Sequence, residues 1–196
     1  MTVVETDRID MAHESAELTL DTLFERLEQM PVPEGYKVEI VGGNIHMSPQ
    51  RDTHWEIILD LIEQLRTRYP RTQVKSDVRI DFPGHLNGFA PDVAKLADGA
   101  KKDARGRWSH EDLEFIAEVI SQGTAPNDYG PKKAAYAAAD IPVYLIADPY
   151  TGLCRVFTEP KDGEYASELT VRFGHEVDLT GTVVDLRLRT AEFPRD

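Results

Sequence analysis

Cysteine is almost missing from this 196-residue chain: Cys154 stands alone. One thiol excludes an internal disulfide framework and a thiolate-rich zinc site. Long apolar runs are missing too. No stretch approaches the roughly 20 residues that a membrane helix needs, and the acidic start, MTVVETDRIDMAHESAEL, lacks the apolar core of a signal peptide. These gaps lead to the expectation of a cytoplasmic protein with no membrane partner. Positive charge is scarce, since 22 Lys+Arg against 35 Asp+Glu leave a formal charge of −13. That balance argues against a general nucleic-acid coat protein, because covering phosphates requires cations. There is no internal repeat, low-complexity tract or linker. The glycine-rich stretch GHLNG at 84–88 lacks the Lys-Ser/Thr of a phosphate-binding loop, and no G-x-S-x-G nucleophile elbow occurs.

What is present reads as one mixed α/β domain, residues 19–196, behind a loosely held tail at 1–18. Leu20, Leu23, Phe24 and Leu27 form a helical stripe that Pro31 and Pro33 end. Tyr36–Val41 and Asn44–Ser48, joined by Gly42-Gly43, predict a hairpin. A second helix is expected from about Thr53 to Tyr69, because Trp55, Ile58, Ile62, Leu65 and Tyr69 recur at steps of three and four. Strands are expected at Gln73–Phe82, Ala90–Ala97 and Leu113–Ile120, with a polar connection over 98–112. A helix follows from about Tyr129 to Ala139, with Pro131 tolerated in its first turn, then a buried strand at Val143–Ala147. The remainder (Leu153–Phe157, Tyr165–Phe173, Val183–Leu188) reads as strand-rich.

Two carboxylates stand in unexpected company. Asp92 interrupts the apolar strand Phe89–Leu96, and Glu118 interrupts Phe115–Ile120. A carboxylate in a central strand costs several kcal/mol unless it is paired or bound to a metal. Side by side, the two strands would converge their acids into an oxygen-rich pocket suited to Mg²⁺ or Mn²⁺. Asp128, Lys132 and Tyr136, at i, i+4 and i+8, share one helix face. Lys132 and Lys133 would fall in the first helical turn, against the macrodipole, so a neighbouring acid or phosphate should compensate them. The bland alternative is a turn-capping Asp92, a solvated Glu118 and an ordinary Asp128–Lys132 helix pair. Tyr136 on an alanine-rich face reads as packing, His54 as a helix-start or packing histidine that is nonetheless able to reach the site, and Trp108 as a local anchor. Ser121 and Thr124 read as caps of the turn into the helix.

The run FAPDVAKL, then FIAEVIS, then Thr124, Asp128, Lys132 and Tyr136 at four-residue spacing, then IPVYLIADP, resembles the Uma-type family of restriction endonucleases. That family lies within the PD-(D/E)XK nuclease superfamily. YKVEIVGGNIHMSP and His54 match upstream, so the resemblance spans about Thr19 to Leu188. It implies a restriction-endonuclease-like mixed sheet flanked by helices, with extra C-terminal strands. It also implies that Asp92 and Glu118 ligate a metal, with the Val119 carbonyl as third ligand and Glu39 as an auxiliary acid. The motif's lysine position holds Ile120. The resemblance then makes Lys132, from the following helix, the substitute cation.

The expectation is a Mg²⁺- or Mn²⁺-dependent endonuclease that hydrolyses phosphodiester bonds in DNA, either as a monomer or as a homodimer. Two rivals stand beside it: a catalytically degenerate nuclease fold used for binding or scaffolding, and a metal-dependent hydrolase of a small phosphate ester. The global acidity is unevenly spread. Between Arg66 and Arg107 ten basic residues face five acids, so that stretch is +5 and the rest is −18. A DNA track and a scatter of solvated cations are both compatible with that pattern.

Overall fold

Strands buried on both faces organise the molecule. The computed structural model describes residues 18–31, 34–49, 51–121 and 123–196; nearly all of the expected N-terminal tail lies outside them. In chain order the elements are α1 (Leu20–Glu28), β1 (Tyr36–Val41), β2 (Asn44–Pro49), α2 (Asp52–Arg66), β3 (Val74–Lys75), β4 (Ile80–Phe82), β5 (Asn87–Phe89), β6 (Val93–Leu96) and β7 (Leu113–Val119). After these come α3 (Ala125–Asn127), a wide π-type turn at Asp128–Lys132, α4 (Lys133–Ala138), β8 (Val143–Asp148), β9 (Leu153–Lys161), β10 (Glu164–Arg172), β11 (Glu176–Asp178) and β12 (Arg187–Arg189). Six strands form one sheet in the order β10-β9-β8-β7-β6-β3, four form a second in the order β2-β1-β5-β4, and β11-β12 make a ribbon. Every pair in the large sheet is antiparallel except β7 with β8, which the helical segment 125–138 connects.

Alternation along β7 sends its residues to two cores. Phe115, Ala117 and Val119 join Val93, Val143, Leu145 and the α2 residues Ile57, Ile58, Leu61 and Leu65. Ile116 and Ile120 join Ala94, Tyr136, Tyr144 and Ile146 on the other face, beneath α4 and the small sheet. Burying each such aliphatic side chain contributes roughly 1.5–3 kcal/mol. Glu118 shares the second face, so the fold carries a carboxylate into an apolar layer.

The hairpin forms as expected: Gly42 and Gly43 have φ of 57° and 79°, the left-handed pair that a tight two-residue turn requires. Gly88 serves a close approach, because a Cβ there would meet the Phe24 ring of α1 at 2.6 Å. Other expectations need correction. The single strand expected over 73–82 is two short strands in different sheets, β3 and β4. Asp77, with φ of 52°, lies in the break between them. Residues 183–186 are not strand; pairing there begins at Arg187. The helix expected from Tyr129 begins at Ala125, so Pro131 lies inside it, and the widened turn accommodates the proline. Lys132 is therefore well past the first turn, and its expected conflict with the helix dipole does not arise.

Candidate active site

The register of β6 against β7 builds the centre of the site. Val93 pairs with Ala117, which sets Asp92 just before β6 across from Glu118 near the end of β7. The Asp92 N–H donates to Glu118 Oε2 at 3.3 Å, and the Val119 N–H donates to Asp92 Oδ2 at 2.8 Å. The expected convergence of these two acids is present.

Lys132 reaches them from the π-type turn. Its ammonium lies 2.7 Å from Glu118 Oε1, 3.0 Å from Asp128 Oδ1 and 3.1 Å from both Glu39 oxygens, and the residue is 1% exposed. Asp128 and Lys132 thus form a helix pair as spacing suggested, but a buried one joined to the central acids. Glu39 comes from β1 and accepts from the Ala90 N–H at 2.9 Å. Tyr136 does two things at once. Its ring packs edge-on to Phe82, Phe89 and Tyr144, while its hydroxyl donates to Glu118 Oε1 at 2.6 Å.

Three side chains add to or depart from their sequence readings. Lys37 belongs to none of the sequence constellations, yet it is 7% exposed, and its ammonium contacts Asp92 Oδ1 at 2.8 Å, Glu118 Oε2 at 3.5 Å and Glu39 Oε1 at 3.6 Å. The only sequence signal was parity: Lys37 and Glu39, two apart on a strand, share a face. His54 does start a helix, but it also enters the site. Its Nε2 lies 2.8 Å from the Val119 carbonyl and 3.2 Å from Asp92 Oδ2, while its buried Nδ1 has no hydrogen-bond partner. A neutral ring with the proton on Nε2 leaves Nδ1 a lone pair, whereas a second proton there would be an unpaired buried donor. The Thr124 side chain makes no capping hydrogen bond; the Ser121 carbonyl closes the turn by accepting from the Thr124 and Ala125 N–H groups, and both residues line the cleft. Ile120 is buried in the apolar cluster around Tyr136.

Burial divides the acids electrostatically. Burial raises Glu118 to about 7, although Lys132 and Lys37 pull the other way. The same burial opposes ionisation of Asp92, but Lys37 beside it and the His54 hydrogen bond hold Asp92 far below the usual carboxylate range. Asp128 is raised by burial against the pull of Lys132. Glu39, although buried, is lowered by Lys132 and Lys37. Both lysines, despite burial, are raised by the surrounding acids and stay charged. Four carboxylates thus face two ammoniums, an excess of two negative charges when all ionise.

The donor set suits a hard divalent ion in kind: two carboxylates and a backbone carbonyl, with that charge excess beside them. It is not a preformed cage. Among the described residues no three carboxylate, imidazole or thiol groups close around one point, because the ammoniums stand between the acids. The cleft they line has a volume of about 10 Å³, room for one water-sized occupant. Metal-ligating histidines usually donate their second nitrogen to an acceptor. The bare Nδ1 therefore fits His54 better as a group that orients Asp92 and Val119.

The basic stretch is partly spent on its own neighbours. Arg79, Arg105 and Arg107 pair with Asp21 of α1, and Arg79 and Arg107 also with Asp81. Lys95 pairs with Glu114. Lys75 and Lys102 sit 5.0 and 5.6 Å from the Trp108 ring centroid, and that ring packs against the second core. Among the described residues no helix is long and apolar enough to cross a membrane.

A strand-end pair of acids, a helix lysine and a mixed sheet with a parallel β7–β8 step define a chain of the restriction-endonuclease-like class. The family described as "Uma2: Putative restriction endonuclease" matches residues 24–191, and the chain belongs to that family. Among solved structures, a protein from Anabaena variabilis described as a putative nuclease belonging to DUF820 is 13% identical. The match covers 90% of this chain and 97% of that one, with a TM-score of 0.67. The two share the fold. No curated protein matches the sequence.

Proposed function

We propose that this chain is a divalent-metal-dependent endonuclease that hydrolyses phosphodiester bonds in DNA. The observation that carries the reading is the buried Asp92–Glu118 pair with Lys132 at 2.7 Å from Glu118. Membership of a nuclease family gives that arrangement a chemistry. Asp92, Glu118 and the Val119 carbonyl would hold Mg²⁺ or Mn²⁺. When bound, the ion lowers the pKa of coordinated water and offsets the charge of the substrate phosphate.

The protein's own groups prepare the rest. Val119 N–H and His54 fix the Asp92 carboxylate through its Oδ2. Tyr136 and Lys132 fix Glu118 through its Oε1. Lys132 serves as a compact positive charge beside the reacting phosphate, the task the motif lysine would perform from position 120. Glu39 and Asp128 hold that ammonium in place.

The test is a plasmid and oligonucleotide cleavage assay in Mg²⁺ and Mn²⁺. The wild-type protein is expected to cut DNA only with metal, and Asp92→Ala and Glu118→Ala to lose both cleavage and Mn²⁺ binding by calorimetry. Absence of Mn²⁺ binding at millimolar concentration would overturn the metal-dependent reading in favour of a scaffold. Metal binding with intact DNA but cleaved small phosphodiesters would move the substrate to a small ester.

A further inference from the structure

The buried ammonium of Lys37 stands between the two carboxylates assigned above to the metal. An ammonium has three donors, and here it contacts three acids: Asp92 Oδ1 at 2.8 Å, Glu118 Oε2 at 3.5 Å and Glu39 Oε1 at 3.6 Å. Among the described residues only the Asp92 contact is a hydrogen bond; those to Glu118 and Glu39 are longer ion pairs. A hard divalent ion draws oxygens in to about 2.1 Å, so an ion bridging Asp92 and Glu118 would lie against this nitrogen. Two cations cannot share that position in a nearly dry pocket.

We infer that Lys37 is a tethered counter-cation that holds the bridging position when metal is absent and is displaced when metal binds. This inference rests on the metal-binding reading above. The geometry supplies the exit. Lys37 and Glu39 lie on one face of β1, and Glu39 is already within 3.6 Å, so the displaced ammonium can move to Glu39 on its flexible stem without leaving the site. Lys132 is built differently. Its contacts run to Glu118, Asp128 and Glu39 and include no atom of Asp92, so it remains in place when Lys37 departs. The position between Asp92 and Glu118 is held by one cation or the other, and the protein sets its metal affinity through that competition.

The experiment compares wild type with Lys37→Met and Lys37→Gln as full-length chains. Calorimetric Mn²⁺ titration is paired with thermal unfolding in EDTA and in Mn²⁺. Removing the tethered cation is expected to tighten Mn²⁺ binding at least tenfold, to lower the Tm in EDTA, and to enlarge the Tm rise on adding Mn²⁺. In the wild-type protein, whose folding is not in question, the Lys37 Cε–H resonances should shift with Mg²⁺ in step with occupancy. Equal or weaker Mn²⁺ binding by a folded variant, or Lys37 resonances indifferent to saturating Mg²⁺, overturns the competition while leaving metal dependence intact. If wild type and both variants all fail to bind Mn²⁺, the metal reading fails, and the competition fails with it.

Discussion

Glu118→Gln separates the energetic burden of the site from its purpose. Glu118 is 1% exposed and its carboxyl is raised from 4.5 to about 7 by burial. Between those values the native state binds a proton that the unfolded chain has released, so unfolding loses free energy as pH rises. The sign is the reverse of an ordinary salt-bridged acid: the stabilisation is present below about 4.5 and is lost as pH climbs through about 7. At 1.36 kcal/mol per unit, the interval amounts to about 3 kcal/mol.

Glutamine keeps the shape but never ionises. It also carries a fixed penalty, since its amide N–H₂ meets only donors: Tyr136 and Lys132 on one side, the Asp92 N–H and Lys37 on the other. That penalty does not depend on pH, so the informative quantity is the change in the stability difference. Urea unfolding in EDTA from pH 4.5 to 8.5 should show the variant gaining on wild type by about 3 kcal/mol across the range. Parallel stability curves for the two proteins would refute the claim that burial of Glu118 is what makes the site costly. The same variant should lose Mn²⁺ binding at every pH and be inactive.

Lys132→Met leaves Glu118, Asp128 and Glu39 without their common cation, and breaking such a buried arrangement from one side costs about 3–5 kcal/mol. Denaturation at pH 8 should show that loss, and it should shrink at pH 5 as the orphaned acids take up protons. Tyr136→Phe keeps the ring contacts and removes one donor to Glu118, a change of about 1 kcal/mol. Because the donor favours the charged carboxylate, the acid limb of the cleavage pH profile should move upward, and an unmoved limb would mean that the hydroxyl is only packing. Ile120→Lys in the Lys132→Met background returns an ammonium to the face of β7 that carries Glu118, two residues away. Part of the lost cleavage should reappear in a folded double variant, and none if position 120 is too deeply enclosed.

The central acids were legible because they broke a rule: Asp92 and Glu118 are carboxylates inside runs that otherwise read as buried strand. Lys132 was legible through its four-residue spacing with Asp128 and Tyr136, although the helix carrying it starts earlier than proline placement suggested. Lys37 was not legible. On a hairpin strand beside a glycine turn, a lysine reads as solvent-facing, and only the packing of the small sheet against the strand ends of the large one buries it. His54 was legible as a residue able to reach the site, but its partner there, a backbone carbonyl 65 residues away, was not. The division of 73–82 between two sheets was also invisible, because both short strands continue the same apolar alternation and the change of direction at Asp77 is a backbone event.

The substitution at position 120 and the lysine at 132 are one structural fact seen from two sides. Ile120 fills the apolar layer with Tyr136, Ala135 and Ile141. A lysine in its place would carry an ammonium into that apolar layer. The helix crossing from β7 to β8 passes over that same layer, and its π-type turn at Asp128–Lys132 brings Lys132 down beside Asp128 onto Glu118. Asp128 gives the ammonium a further acid beside Glu118 and Glu39, and the Tyr144 hydroxyl in turn donates to the Asp128 carbonyl at 3.0 Å. The cation is thereby fixed by the helix that closes the parallel step. The end of this central strand stays apolar and well packed, and the charge that the acids need arrives from above it.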